Sequence, residues 1–371
     1  MRRICIVTAT RAEYGLLRWV IDGVYKDPEL ELQLVVTGTH LLEEYGNTSR
    51  FIEDDGYPIV AKVNMRLHSG SKKDIVHSMG YCSIGIADVL IQLFPDMVVV
   101  LGDRYELIPI VSAALVMGIP VAHISGGDVT EGAIDNEVRN AITMMSSIHF
   151  PGVQSSAKNI ERMIGGNADV FTVGEPGLES FMRMDLMSRE ELAVELDIDC
   201  SKHWCLVTLH PETKIGLDEN IAMVSNLFDV MAQYTDVQYV ISKANADYGG
   251  KQINDFWDKA IVGKEKQFKL FASLGQRRYL SYMYQAKGVL GNSSSGIVEA
   301  PFLGIPVVNI GNRQGGRHLC KNIIQCGRSK EEIADAVNKM FKQPKMEDYY
   351  FGDGKVSEKI IKHIKEYLRE K

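Results

Sequence analysis

Two α/β domains, each built on a parallel sheet with helices on both faces, are what this sequence predicts, from three observations. Short β-branched runs alternate with longer stretches of helical periodicity, which is the pattern of repeated βαβ units. The strand runs are nearly continuous in apolar residues, as strands covered on both faces require. The pattern stops near residues 174–188 and then restarts, dividing 371 residues into two lengths that each suffice for a core.

The elements follow in order. Ile4-Cys5-Ile6-Val7 reads as the first strand, and residues 14–26 as a helix whose Leu16, Leu17, Val20, Ile21 and Val24 form one apolar stripe. Further strands are predicted at residues 32–36, 59–63, 97–101, 121–124, 148–150 and 170–173. Gly174, Pro176 and Gly177 break the pattern, and Ser188 with Glu191 reads as a capping box that opens a new helix. The second half offers strands at 205–209, 237–241, 268–271, 288–290 and 307–310. The domains are expected at 1–175 and 176–352, with 353–371 as a C-terminal helix. Its Ile360, Ile361, Ile364 and Leu368 share one face and need a domain to cover.

Composition narrows the function. A net charge of −7, 45% hydrophobic and 24% charged residues describe an ordinary globular chain and exclude disordered and fibrous classes. Basic residues are scattered, so neither nucleic acid nor an anionic membrane is the expected partner. The apolar run after Met1-Arg2-Arg3 ends by Thr10, too short for a secretory signal. The longest apolar stretch, residues 108–122, carries Pro109, Ser112 and Pro120 and falls short of a membrane span. A cytoplasmic protein is expected. The six cysteines form no Cys-x-x-Cys pair and no zinc spacing with histidine, so reduced and mostly buried thiols are expected, without a metal.

In open parallel sheets, ligands bind where strands end at their carboxyl edge. Thr8-Ala9-Thr10-Arg11 follows the first strand there, Gly102-Asp103-Arg104 the fourth and Ser125-Gly126-Gly127-Asp128 the fifth. The second half places His210-Pro211-Glu212-Thr213, residues 291–296 (Gly-Asn-Ser-Ser-Ser-Gly) and residues 311–317 at such edges, so two facing domains would enclose a cleft. The 291–296 loop precedes a helix predicted at 297–303, so its N–H groups and the hydroxyls of Ser293, Ser294 and Ser295, up to Gly296, suit an anion. A Ser-rich helix cap is the plainer alternative. Neither a dinucleotide G-x-G-x-x-G nor a P-loop occurs, which argues against a bound nicotinamide cofactor.

Arg11, His210 and Arg313 are cationic or donor groups for a diphosphate at that helix end, and only as a set do they carry weight. Glu299 suits a ribose hydroxyl, or equally a charge complementing the helix N-terminus. Asp103, Asp128, Glu131 and Asp135 come from adjacent edges of the first domain and suggest proton transfer. Taken alone, Asp135 reads better as the N-cap of a helix over 136–145.

Six motifs in order, residues 10–15 (Thr-Arg-Ala-Glu-Tyr-Gly), 102–104, 123–135, 210–213, 291–301 and 311–317, make the chain resemble the hydrolysing UDP-N-acetylglucosamine 2-epimerases of sialic acid biosynthesis. The resemblance implies an enzyme with two Rossmann-like, doubly wound domains of the glycosyltransferase-B type that uses neither NAD nor metal. Arg11-Ala12-Glu13 and Gly126-Gly127-Asp128 resemble the hydrolysing branch rather than the reversible one. The implied reaction eliminates UDP from UDP-N-acetylglucosamine to give 2-acetamidoglucal, then adds water to give N-acetylmannosamine.

By the same resemblance Asp103 is the leading proton-transfer carboxylate and Asp135 a second acidic position. Arg11, His210, Ser293 and Ser294 would hold the leaving diphosphate, His210 thereby sharing in catalysis, Arg313 would order the site and Glu299 would hold the ribose. Ser125 stands where several members carry Glu or His, which leaves the second proton transfer to Asp128 or Asp135. A homodimer or homotetramer is implied. The alternatives are the same chemistry on UDP-2,4-diacetamido-2,4,6-trideoxyglucose, a nucleotide-sugar glycosyltransferase, or a nucleotide-sugar sensor without turnover.

Overall fold

Hydrophobic strands joined by amphipathic helices fold here into two parallel sheets, seen in a computed structural model that describes residues 1–370 except 44–45, 68–70, 130–133, 167–168, 213 and 245–248. The chain divides into two units, Met1–Ser180 with Gly352–Lys371, and Phe181–Phe351.

Unit 1 runs β1 (Arg2–Thr8), α1 (Arg11–Lys26), β2 (Leu30–Val36), α2 (Ser49–Asp54), β3 (Ile59–Lys62), α3 (Lys72–Leu93), β4 (Met97–Leu101), α4 (Leu107–Val116), β5 (Val121–Ile124), α5 (Asp135–Met145), β6 (Ile148–Phe150), α6 (Gln154–Ile164) and β7 (Asp169–Val170). Its described strands are ordered β3-β2-β1-β4-β5-β6-β7, all parallel. Ile4 and Ile6 pack on one face with Leu17 and Ile21 of α1; Cys5 and Val7 pack on the other with Cys82 and Ile86 of α3. Burial of alternate side chains in opposite cores is why β1 reads as an unbroken apolar run.

After α7 (Glu179–Arg183), unit 2 runs α8 (Arg189–Leu196), β8 (His203–Thr208), α9 (Leu217–Met231), β9 (Val237–Ser242), α10 (Gly250–Ala260), β10 (Phe268–Phe271), α11 (Gly275–Gln285), β11 (Gly288–Gly291), α12 (Ser294–Phe302), β12 (Val307–Ile310), β13 (Ile323–Cys326) and α13 (Lys330–Lys342). Its described strands are ordered β10-β9-β8-β11-β12-β13, again parallel. Ser188 opens α8 with the expected capping box. The final helix, α14 (Val356–Glu370), returns to unit 1, where Val356, Ile360 and Ile364 join the core under α1.

Three details differ from the sequence reading. β13 is an added edge strand, half-exposed along its length, so it lacks the apolar run that marks the others. Asp135 is the first residue of α5 and Ile134 holds the N-cap position, so Asp135 is not the cap. α12 starts at Ser294, not 297, which moves Glu299 into its second turn, past the reach of a helix-end charge. α3 is long and apolar enough to cross a membrane by length and composition, yet it packs Ser78, Cys82, Ile86 and Leu90 into unit 1. The cysteines are free, with Cys5, Cys82, Cys205 and Cys320 buried, Cys326 partly so and Cys200 exposed.

Candidate active site

Strand order locates the crevices before any side chain is considered. In unit 1 the winding reverses between β1 and β4, and in unit 2 between β8 and β11. Crevices form at the carboxyl ends of such strand pairs. Those ends carry Thr10, Arg11 and Asp103 in unit 1, and His210 and Ser293 in unit 2.

In unit 1, Thr10 caps α1, its side chain accepting from the Glu13 N–H. The Glu13 carboxylate turns back beneath the loop and accepts from the Ala9 N–H at 2.8 Å. Burial, and secondarily the charge of Glu106, push its pKa up to about 8, against the Ala9 N–H and Arg104. Arg11 is exposed, its guanidinium 4.5 Å from the centre of the Phe51 ring.

After β4, Asp103 is ion-paired with Arg139 of α5, and Arg104 donates to the buried Glu106 at 2.6 Å. His123, at the end of β5, fixes this turn from below: Nε2 is 2.8 Å from the Gly102 carbonyl and Nδ1 3.2 Å from the Thr143 hydroxyl. A carbonyl only accepts, so Nε2 carries the proton and Nδ1 accepts. Burial holds the ring neutral, with a pKa down to about 3.

Ser125 has a left-handed φ of 59°, a conformation costly for a residue with a Cβ. Gly127, at φ 79°, passes so near Ser156 of α6 that a Cβ would overlap its carbonyl. The Asp128 carboxylate accepts from the Ser156 hydroxyl at 2.5 Å, and its backbone carbonyl accepts from Arg139. Asp135 sits one turn before Arg139; burial, then the negative charge of Asp103, raise its pKa. Asp103, Asp128 and Asp135 are thus gathered around Arg139, while Glu131 lies outside the described residues.

In unit 2 one residue ties three loops through its side chain and its carbonyl. Asn292 Oδ1 accepts from the His210 N–H at 2.7 Å, and its Nδ2 donates to the His210 carbonyl at 2.9 Å. The Asn292 carbonyl accepts from Arg313 Nη1 at 3.3 Å and from Gln314 Nε2 at 2.8 Å. The ends of β8, β11 and β12 therefore meet, which brings His210, Ser293 and Arg313 to one place. Glu212 braces the same edge, accepting from Arg328 at 2.6 Å and from the Asn312 N–H at 3.0 Å. Thr213 lies outside the described residues.

Ser293 caps α12 and Ser295 donates to its hydroxyl at 3.1 Å, while Ser294 is exposed. Gly296 lets α12 approach Val307 of β12, where a Cβ would sit 3.2 Å from that side chain. Tyr279 of α11 bonds Ser295 through its hydroxyl. Glu299 projects from the same helix, and its Oε2 is buried with no hydrogen-bond partner. Burial raises its pKa to about 7. A buried carboxylate oxygen without a donor is costly alone and matches a ligand bearing hydroxyls.

Sequence reasoning overlooked Arg139, His123 as a support, Tyr279, and Asn292 as a hub. Among the described residues no three His, Cys, Asp or Glu side chains group as a metal site. The donor set suits a nucleoside diphosphate in unit 2 and acid/base chemistry in unit 1.

Comparison with known proteins gives one picture. The family model described as UDP-N-acetylglucosamine 2-epimerase matches residues 23–365. A GDP/UDP-N,N'-diacetylbacillosamine 2-epimerase (hydrolyzing) of Campylobacter jejuni is 36% identical over 87% of this chain and 84% of its own. Polysialic acid biosynthesis protein P7 of Escherichia coli is 32% identical over 91% and 86%. The UDP-GlcNAc 2-epimerase of Methanocaldococcus jannaschii, solved with UDP-GlcNAc and UDP, superposes with a TM-score of 0.75 at 21% identity, covering 98% of this chain and 99% of that one. That last likeness shows the fold: two α/β units of the glycosyltransferase-B type.

Proposed function

The chain belongs to the UDP-N-acetylglucosamine 2-epimerase family, and from that premise we propose that it is a cytoplasmic, hydrolysing 2-epimerase of a UDP-linked 2-acetamido sugar. Unit 2 holds the UDP and unit 1 carries the carboxylates that act on the sugar. The observation that carries this reading is the pair of carboxylates beside Arg139: Asp103, ion-paired with it after β4, and Asp135, one turn before it on α5, as paired acid/base work requires.

The sugar C2–H has no carbonyl beside it and is barely acidic, so C1–O cleavage comes first and develops positive charge at C1. His210, Ser293, Ser294 and Arg313 of unit 2 stabilise the departing diphosphate, and Glu299 accepts from the ribose hydroxyls. Asp103 takes the C2 proton, leaving 2-acetamidoglucal. Water then adds its oxygen to C1 while a carboxylic acid gives a proton to C2 on the opposite face and is restored by the proton the water releases; Asp103 returns its own proton to solvent, giving the 2-epimeric free sugar and UDP. Asp135 is assigned to this second transfer, because the Asp128 carboxylate is already engaged by Ser156.

UDP-N-acetylglucosamine, yielding N-acetylmannosamine for sialic acid synthesis, is the first substrate proposed, and the similarity to protein P7 supports it. The second is UDP-2,4-diacetamido-2,4,6-trideoxyglucose, favoured by the 36% identity to the diacetylbacillosamine enzyme. Each is supplied without an acceptor, and UDP is assayed beside the free sugar. Equal amounts of UDP and 2-epimer from one substrate support the reading and select the sugar. UDP release from neither overturns it.

A further inference from the structure

Arg139 belongs to no motif, yet its side chain joins the loops after β4 and β5 at the unit 1 crevice. It is only 5% exposed. It ion-pairs with Asp103 on the loop after β4 and donates at 2.7 Å to the Asp128 carbonyl on the loop after β5. It also lies four residues after Asp135 on α5, so the two share a helix face. A guanidinium does not give up its proton in a protein, which rules it out as the acid or base. Its planar fork can instead hold a carboxylate in one orientation while another N–H fixes a second loop.

We propose that Arg139 is a positioning residue for the proton transfers: it aims Asp103, ties down the loop of Asp128 and supplies positive charge beside Asp103 and one helical turn from Asp135. The inference rests on the 2-epimerase reading for its reaction, whereas the clamp is a property of unit 1 alone. Among the described residues, the charged and titratable groups around it include Asp103 and Arg104 after β4, His123 on β5, Asp128 after β5 and Asp135 on its own helix. Of these His123 stays neutral, since burial holds its pKa down to about 3. Removing the guanidinium leaves two carboxylates with less compensating charge, so ionising both becomes harder and the acid limb of the rate profile moves to higher pH.

The test compares Arg139→Met and Arg139→Lys with wild type by kcat, KM, UDP affinity, the pH–rate profile and amide hydrogen exchange over residues 125–129. Arg139→Met is expected to lower kcat by about 100-fold or more with UDP affinity nearly unchanged, because general acid/base geometry contributes that much. Its acid limb should rise by about one pH unit, and exchange in the loop should quicken by about tenfold. Arg139→Lys keeps the charge without the fork, so its acid limb should stay in place while kcat falls partway. Near-wild-type kcat and unchanged exchange in Arg139→Met overturn the proposal, and the same pair of results in Arg139→Lys does so if the Met variant does not fold. Wild-type protein that turns over neither sugar refutes the 2-epimerase reading, and the exchange comparison still decides the clamp.

Discussion

Asp103 and Glu299 make the residue-scale claims testable. Asp103→Asn keeps shape and removes the proposed base, so kcat should drop by about 100-fold or more while UDP, assigned to unit 2 groups, binds as before; single-turnover kinetics with a UDP titration check both. Glu299 gives a pH test with a definite sign. Its pKa in the folded protein is about 7 against an ordinary 4.5. The folded state therefore keeps a proton that the unfolded chain has released between those values. Its contribution is full below pH 4.5 and is lost as pH rises through about 7. The Tm of wild type should accordingly fall relative to Glu299→Gln between pH 5 and about 8; a constant difference would contradict the burial of an unpaired carboxylate. The residues that reasoning from sequence overlooked share a cause. Arg139 meets Asp103 across 36 positions, and Asn292 meets His210 across 82. A pairing of that separation leaves no local pattern, whereas the strand-end motifs are local and were readable.

Elements were the most legible level, because a strand buried on both faces must be an unbroken apolar run. β5, β6, β10 and β12 lie where those runs predicted. Two edge strands were less legible: β7 is two residues long, and β13 pairs on one side only and mixes Gln325 with Ile323 and Ile324. α14 could not be assigned to a domain from its stripe alone, since either half offered a surface. In the fold it seals α1, with Ile364 fully buried and Ile361 against Gly23. Ile364→Ala should therefore cost about 2–5 kcal/mol of unfolding free energy in urea titrations. α3 presents Val76, Tyr81, Ile84 and Ile91 exposed on its outer side. We place the interface of the expected homodimer on this apolar face. Ile84→Glu should then halve the mass seen by light scattering, and an unchanged mass would exclude this face.

At the scale of the molecule, the two doubly wound units are proposed to divide the labour, nucleotide binding in one and proton transfer in the other. Protein donors alone are proposed to carry the diphosphate, so full activity should survive exhaustive EDTA treatment; activity restored specifically by magnesium or manganese would contradict that. The central claim is that water is the second substrate. Turnover of each UDP-sugar in H₂¹⁸O, with the product trapped before its anomeric oxygen exchanges, measures this directly. The account predicts one ¹⁸O at C1 of the free 2-epimeric sugar, in equal amount to the UDP released. Accumulation of the UDP-linked 2-epimer, with no free sugar and no label, would contradict it.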